Sequence, residues 1–375
     1  MSASAAASAC PLTRLFLSGM EIAPAVMGTP LFDRFSVKLD AKANTATRSF
    51  HLLSYNVDNA MREEKIEATK WANRKHRVRD LIVKAKPHVV CLQELRNLPG
   101  NESVGEFVAS LAHALGGYRF DIEDRNPEPR SFMHAILWDP TRFVALRKET
   151  RWLSDTPGVL SDSLTVPHDA KSPAYIVQCV MLAAVKDSKM AVDHRGMPCP
   201  FWVLNTHLGM DEQLKTESCK ALLRIINDGG PAAYLLCGDF NFFPDKDAAK
   251  QRAILTDAGL IDLGAAYGMV TSQGKVPIEG TFIGYEHDDF KPADSKKPIG
   301  RLDNVFASDA RVQVQAGTAM TVWTETMRVR DALVDHPEDE RCPVESDEPE
   351  EELSDRNALP SDHLPISVDV SVIAF

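Results

Sequence analysis

Residues 232–241, AAYLLCGDFN, set six apolar residues against a Gly-Asp-Phe-Asn turn. A short unbroken apolar run bounded by turn residues reads as a strand buried on both faces, as inside a layered α/β sheet. The same grammar recurs to either side. Residues 201–207 (FWVLNTH) close on Asn205-Thr206-His207, residues 88–94 (HVVCLQE) on Gln93-Glu94, and residues 50–57 (FHLLSYNV) on Asn56-Val57. Asp303 opens a strand over 302–307, and Ser361-Asp362-His363 stands just before another over 366–373. Polar groups held at strand ends can converge on one point.

Helices separate these strands. Val78, Leu81, Ile82 and Ala85 follow the i, i+3, i+4, i+7 spacing of one helix face, as do Val104, Phe107, Val108, Leu111 and Leu115. Gly116-Gly117 stops the second helix. Further strands are expected at 118–122, 133–138, 143–146, 175–185 and 311–322, with helices over 212–227 and near 245–255. The turn-rich segment 157–173 reads as a surface loop. Strands with helices interleaved in both halves predict an α/β layered sandwich. No internal repeat has a fixed period.

The chain has 375 residues, 44% hydrophobic and 25% charged, an ordinary globular composition. Its net charge of −11 disfavours a protein that grips long duplex nucleic acid, because such binding draws on phosphate neutralisation. Small or single-stranded phosphoesters stay open. Seven cysteines without C-x-x-C spacing argue against a disulfide framework or a zinc site and favour an intracellular, cytoplasmic setting. No apolar stretch approaches the roughly 20 residues of a transmembrane helix, and no protein partner is identifiable. Residues 1–45 are expected to be a flexible extension, with organellar targeting or secretion left open. Residues 46–375 are expected to form one domain, interrupted by a disordered acidic loop at 337–355 (PEDERCPVESDEPEEELSD). That loop, just ahead of Ser361-Asp362-His363, is expected to overhang the cleft and repel polyanions.

Carboxylates, amides and imidazoles at strand ends suit a divalent cation and a phosphate. Magnesium prefers oxygen ligands, commonly one or two carboxylates with water and substrate. Glu94 is the leading ligand candidate, and Asn56 could orient it or share the metal's water shell. Asp239 and Asn241, two residues apart, share a face in extended geometry, where they could hold both the attacking water and a phosphate oxygen. His207 can donate to phosphoryl oxygens as charge develops. His363 is the natural proton-transfer group, with Asp303 to fix its tautomer and Asp362 facing the metal.

These strings resemble the endonuclease/exonuclease/phosphatase superfamily, with the deoxyribonuclease-I-like fold. The similarity runs from about residue 50 to the end, through Tyr55-Asn56-Val57, Gln93-Glu94, Asn205-Thr206-His207-Leu208, Gly238-Asp239-Phe240-Asn241, Arg301-Leu302-Asp303 and Ser361-Asp362-His363. The resemblance implies a four-layered α/β sandwich, two mixed β-sheets packed face to face with helices outside. It also implies Mg2+ or Mn2+ at Glu94, with Asn56 and Asp362 nearby. Asp239 and Asn241 would position the nucleophilic water, His207 would bind the scissile phosphate, and the Asp303–His363 pair would move the proton. Trp71-x-x-Arg74 with Arg77-Val78, Trp152-Leu153-Ser154-Asp155-Thr156-Pro157 and Gly280-Thr281-Phe282-x-Gly284 look like an uncharacterised branch of metal-dependent hydrolases. Residues 359–365 are also similar to nocturnin-like deadenylases. Asn304 departs from the tyrosine many relatives carry after the aspartate.

The expected activity is hydrolysis of a phosphate ester by a phosphodiesterase or nuclease, on nucleic acid or a nucleotide. A phosphomonoesterase or sphingomyelinase-like lipid phosphodiesterase is the alternative, and a silent binding module the third reading. Arg74, Lys75, Arg77 and Arg79 form a basic cluster that could touch nucleic-acid phosphates, but their helix periodicity favours a solvated outer face. Phe242, Phe243, Phe282 and Tyr285 flank the motifs and fit either base stacking, with Phe282 and Tyr285 as substrate contacts, or local packing. Residues 280–298 are expected to form a rim loop, in which Glu286, His287, Asp288 and Asp289 are solvated.

Overall fold

The computed structural model describes residues 49–58, 71–97, 103–124, 132–158, 175–185, 200–230, 232–244, 248–272, 277–282, 300–308, 312–314, 319–323 and 361–372. The expected N-terminal extension, most of the 157–173 loop, the rim segment beyond Phe282 with Tyr285 and Glu286 to Asp289, and the acidic segment 337–355 lie outside the described residues.

The chain begins with β1 (Ser49–Asn56), α1 (Trp71–Ala85), β2 (Val89–Leu95), α2 (Val104–Ala114), β3 (Arg119–Asp124) and β4 (Met133–Trp138). It continues with β5 (Phe143–Trp152), β6 (Ile176–Ala184), β7 (Phe201–His207), α3 (Glu212–Asp228), β8 (Ala233–Asp239) and α4 (Ala248–Asp257). Then come β9 (Leu260–Asp262), α5 (Leu263–Tyr267), β10 (Met269–Thr271), β11 (Asp303–Ser308), β12 (Val312–Val314), β13 (Met320–Val322) and β14 (Ile366–Val372).

Two mixed sheets result. One has eight strands, in the order β10-β13-β14-β1-β2-β4-β3 with β12 also paired to β14; the other has six, β5-β6-β7-β8-β11-β9. Side chains alternate across each strand. Leu52 of β1 and Leu235 and Cys237 of β8 point into an inter-sheet core that they share with Val203, Val305 and Val368. Leu53 and Tyr55 face the other way, onto Val78, Ile82, Phe107 and Leu111 of α1 and α2. Tyr234 and Leu236 face Cys219, Leu222 and Ile226 of α3. Three cores separate four layers, helix–sheet–sheet–helix, the architecture expected.

Parallel pairing sets the strand ends level. β1 pairs parallel with β2, matching Asn56 to Gln93, and β7 pairs parallel with β8, matching His207 to Asp239. Antiparallel β11 starts where β8 ends, with Asp303 opposite Asp239. A register shift between Leu92 and Leu95 marks a bulge at the end of β2.

Several expectations need correction. The strand expected over 143–146 runs on to Trp152, because its charged outer residues (Arg147, Lys148 and Arg151) mask the apolar signal at a sheet edge. The expected 311–322 strand is two short ones, both antiparallel to β14. β9, α5 and β10 are too short to leave a periodic signal. Arg74 and Arg77 are not solvated: they are only 1% and 8% exposed. Arg74 donates to the main-chain oxygens of Val57 and Asp58 and lies 5.3 Å from the Trp71 ring centroid. A guanidinium can grip two carbonyls and stack on an indole, so a basic helix face need not be a wet one.

Candidate active site

Asn205 and Gln93 join the two sheets beneath the strand ends. Both are fully buried; Gln93 Nε2 donates to Asn205 Oδ1 at 2.7 Å, and Asn205 Nδ2 donates to the Leu92 and Ala135 carbonyls at 2.9 and 3.2 Å. A buried amide left unpaired would be costly. This cross-link therefore fixes the separation of the sheets under everything above it.

Left-handed backbone at three positions then aims side chains inward. Among the described residues four non-glycine residues have positive φ, and three belong here: Asp58 (43°), Glu94 (60°) and Asn241 (51°). Left-handed backbone costs an L-residue about 1–2 kcal/mol and persists where its surroundings over-determine it. Gly238 has a φ of 141°, and a Cβ there would stand 1.8 Å from the Thr206 carbonyl oxygen, so only glycine lets β7 and β8 meet. Asp239 and Asn241 do converge, though not through extended geometry. The Asn241 amide N–H donates to Asp239 Oδ1 at 2.9 Å, closing a tight turn around the left-handed residue.

The side chains meet around Asn56, whose Nδ2 donates to Glu94 Oε1 at 2.8 Å and to Asp239 Oδ2 at 2.9 Å. Its two hydrogens are thereby spent, while its Oδ1 accepts the Asp58 amide N–H at 3.0 Å. His207 Nε2 lies 3.6 Å from Glu94 Oε1, 3.5 Å from Asp239 Oδ2 and 3.2 Å from Asn241 Nδ2. Across the pocket His363 Nδ1 is 2.9 Å from Asp303 Oδ2, while its Nε2 faces Asp239 Oδ2 at 3.7 Å and Asp362 Oδ1 at 4.0 Å. Asn56, Glu94, His207, Asp239, Asn241, Asp303, Asp362 and His363 are thus gathered at one place. Tyr285 lies outside the described residues.

Crowded buried carboxylates repel one another. Burial pushes the Glu94 carboxyl up, His207 offsets part of this, and Asp362 adds to it. Burial also raises Asp58, reinforced by Asp362 and Glu94. Asp303 is raised by burial against the pull of His363. His363 is pulled down by its own burial, but Asp303, Asp239 and Asp362 outweigh that and hold it well above the usual imidazole range.

This donor set fits a hard divalent cation. Ligand atoms of Glu94, His207 and Asp239 lie within 4.8 Å of one another, as do those of Asp239, Asp303 and His363. Asp362 Oδ1 and Asp303 Oδ1 are buried without a hydrogen-bond partner. An excess of buried anionic oxygen in one pocket is what a divalent ion compensates.

Asp58 and Thr281 also contribute, although the sequence marks no site role for either. Asp58 is 7% exposed and interacts electrostatically with Glu94 and Asp362; its place two residues after Asn56 was the available signal. Thr281, fully buried, accepts the amide N–H groups of Leu302 and Asp303 on Oγ1, and its carbonyl accepts from Leu364 N at 2.7 Å. It therefore ties Asp303 to the chain around His363. Phe282 packs edge-on to His363, with ring centroids 5.0 Å apart, and Phe132 to His207 at 5.9 Å. Phe242 is 1% exposed and packs against Phe240, which removes it from any stacking role.

Residues 53–363 match the sequence profile described as the Endonuclease/Exonuclease/phosphatase family. An uncharacterised protein of Acanthamoeba polyphaga mimivirus is 26% identical over 193 residues, 51% of this chain and 66% of that relative's length. Among solved structures, an endonuclease/exonuclease/phosphatase family protein from Bacteroides thetaiotaomicron has 19% identity and a TM-score of 0.62, over 88% of this chain and 99% of that one. A mannosyl-6-phosphatase from the same organism has 19% identity and a TM-score of 0.61, over 86% and 99% of the two chains. At these identities the solved structures share the fold.

Proposed function

The chain belongs to the endonuclease/exonuclease/phosphatase family, and we propose that it is a Mg2+- or Mn2+-dependent hydrolase of phosphodiesters. The observation that carries this reading is the meeting of Glu94, His207, Asp239 and His363, drawn from four separate segments at or beside strand ends, through contacts of 3.5–3.7 Å. Glu94, Asp239 and Asp362 would hold the cation, with Asn56 keeping the first two carboxylates in place. When bound, the cation neutralises phosphoryl charge and makes water more acidic.

The remaining chemistry falls to the protein. Asp239 and Asn241 orient the attacking water from one turn. His207, beside Asn241, contacts the scissile phosphate. Asp303 holds Nδ1 of the His363 ring so that Nε2 points into the pocket and exchanges a proton there. Two part-exposed aromatic edges, Phe132 and Phe282, flank the two histidines and suit a substrate bearing bases. The net charge of −11 supports short or single-stranded substrates over long duplexes.

The test is hydrolysis by the full chain, first with chelator and then with Mg2+ or Mn2+ restored. Substrates are single- and double-stranded oligonucleotides, nucleoside and sugar monophosphates, and sphingomyelin. Cleavage of single-stranded diesters that vanishes with chelator and with Glu94→Gln is expected. Turnover that survives the chelator would sink the metal reading, and turnover confined to monoesters would replace the diesterase with a phosphatase.

A further inference from the structure

A cavity of about 540 Å³ opens beside the turn that links β8 to α4. Phe242, Arg252, Met269, Ile278, Glu279 and Arg301 contribute to its wall, and no side chain of the carboxylate–histidine cluster does. Two guanidinium groups stand together there. The Arg301 side chain is only 10% exposed and is paired with Asp262. Arg252 Nη2 donates to the main-chain oxygen of Arg301 at 2.7 Å, and its Cζ lies 5.4 Å from the Phe242 ring centroid. Its Nε is buried with no hydrogen-bond partner.

Buried cations ordinarily meet a carboxylate. Asp262, which does not line the cavity, is engaged by Arg301, and Glu279, the carboxylate on the wall, is exposed to solvent. The inner wall is therefore left with one uncompensated positive charge. Burial, with Arg301 next to it, accordingly pulls the Arg252 pKa down to about 10. Paired guanidiniums match the geometry of a phosphate oxyanion. A bare phosphate would fill little of this volume, which falls in the range of sites for whole small molecules. The apolar surface of Met269 and Ile278 asks for a weakly polar body attached to the anion.

We propose that this cavity is a second ligand site, separate from the carboxylate–histidine pocket. It takes a small phosphorylated molecule with a weakly polar body, of the nucleoside monophosphate class, with the phosphate on Arg252 and Arg301 and the body toward Met269 and Ile278. The site does not depend on the diesterase assignment, since its ligand need not be a substrate.

The experiment is calorimetric titration of the full chain in chelator, with adenosine 5′-monophosphate and separately with inorganic phosphate as probes. Saturable nucleotide binding is expected, about tenfold tighter than phosphate. Arg252→Met should weaken it by about tenfold or more, and His363→Ala should leave it unchanged. Glu279→Lys, at an exposed position that spares the fold, should tighten it several-fold. Absence of saturable binding would overturn the proposal, as would equal binding by wild type and a folded Arg252→Met protein. So would an unaltered affinity in Glu279→Lys, or loss of binding in His363→Ala, which would put the nucleotide in the other pocket.

Discussion

Lys215 on α3 has no solvent exposure, and its Nζ donates to the main-chain oxygen of Asn241 at 2.6 Å. The same ammonium reaches Glu212 Oε1 at 2.7 Å, three residues back on the helix. A helix outside one sheet thus holds the left-handed turn on which Asp239 and Asn241 sit. Lys215→Met leaves a buried carbonyl without its charged donor, at a cost of about 2–3 kcal/mol. Turnover should fall at least about tenfold with little change in KM, because the residue positions the turn and need not touch substrate. Urea unfolding and steady-state kinetics on the same preparation check both halves. Unchanged kcat in a destabilised protein would reduce Lys215 to a purely structural anchor.

Gly238→Ala should be among the most damaging substitutions in the chain. The added methyl meets the Thr206 carbonyl at 1.8 Å, and that oxygen belongs to the paired strand β7, which cannot step aside. Overpacking and backbone strain together should remove about 3–5 kcal/mol. Recovery of soluble protein with a wild-type melting temperature would show that β7 and β8 can move apart here.

His363→Ala and Asp303→Asn act on one hydrogen-bonded unit, with 2.9 Å between Nδ1 and Oδ2. Each should lower kcat by about 10²–10⁴. The double variant should be no worse than His363→Ala alone, since the aspartate acts through the imidazole. Additive losses would assign Asp303 a separate task.

His88 provides a pH test of stability well away from the pocket. Its Nδ1 accepts the main-chain N–H of His51 at 2.8 Å, a bond open only to the unprotonated ring. Burial, then the charges of Arg142 and His51, lower its pKa from 6.5 to about 4. The unfolded chain consequently takes up the proton first. The contribution is complete above about pH 6.5 and declines as pH falls, with nothing left to lose below about pH 4. His88→Asn, which keeps a neutral acceptor, should narrow the drop in urea midpoint between pH 7 and 4.5. Discounted for the partly exposed ring, the difference is about 1 kcal/mol. Parallel profiles for the two proteins would remove His88 as its source.

Much of the fold is local in origin, and so it was legible in the chain. Apolar runs such as those before Gln93-Glu94 and Gly238-Asp239 announce strands by composition alone, and the face formed by Val78, Leu81, Ile82 and Ala85 announces a helix. β9 and β10 escaped because three residues carry no measurable period. Arg74 and Arg77 are buried although charge on a helix suggests water; Arg74 finds main-chain partners in Val57 and Asp58 and an aromatic one in Trp71.

The order of polar strings at strand ends, and with it the family and the layered architecture, was determined by the sequence itself, because strand burial and turn chemistry are properties of neighbouring residues. Which groups touch was decided only by the tertiary structure. Asn56 meets Asp239 across 183 positions and His363 meets Asp303 across 60. The left-handed backbone at Glu94 and Asn241, the entry of Asp58 and the Arg252–Arg301 cavity likewise exist only once two sheets are packed. The reason is physical: hydrogen bonds and buried charges depend on ångström distances between remote segments, and no local pattern of residues encodes those distances.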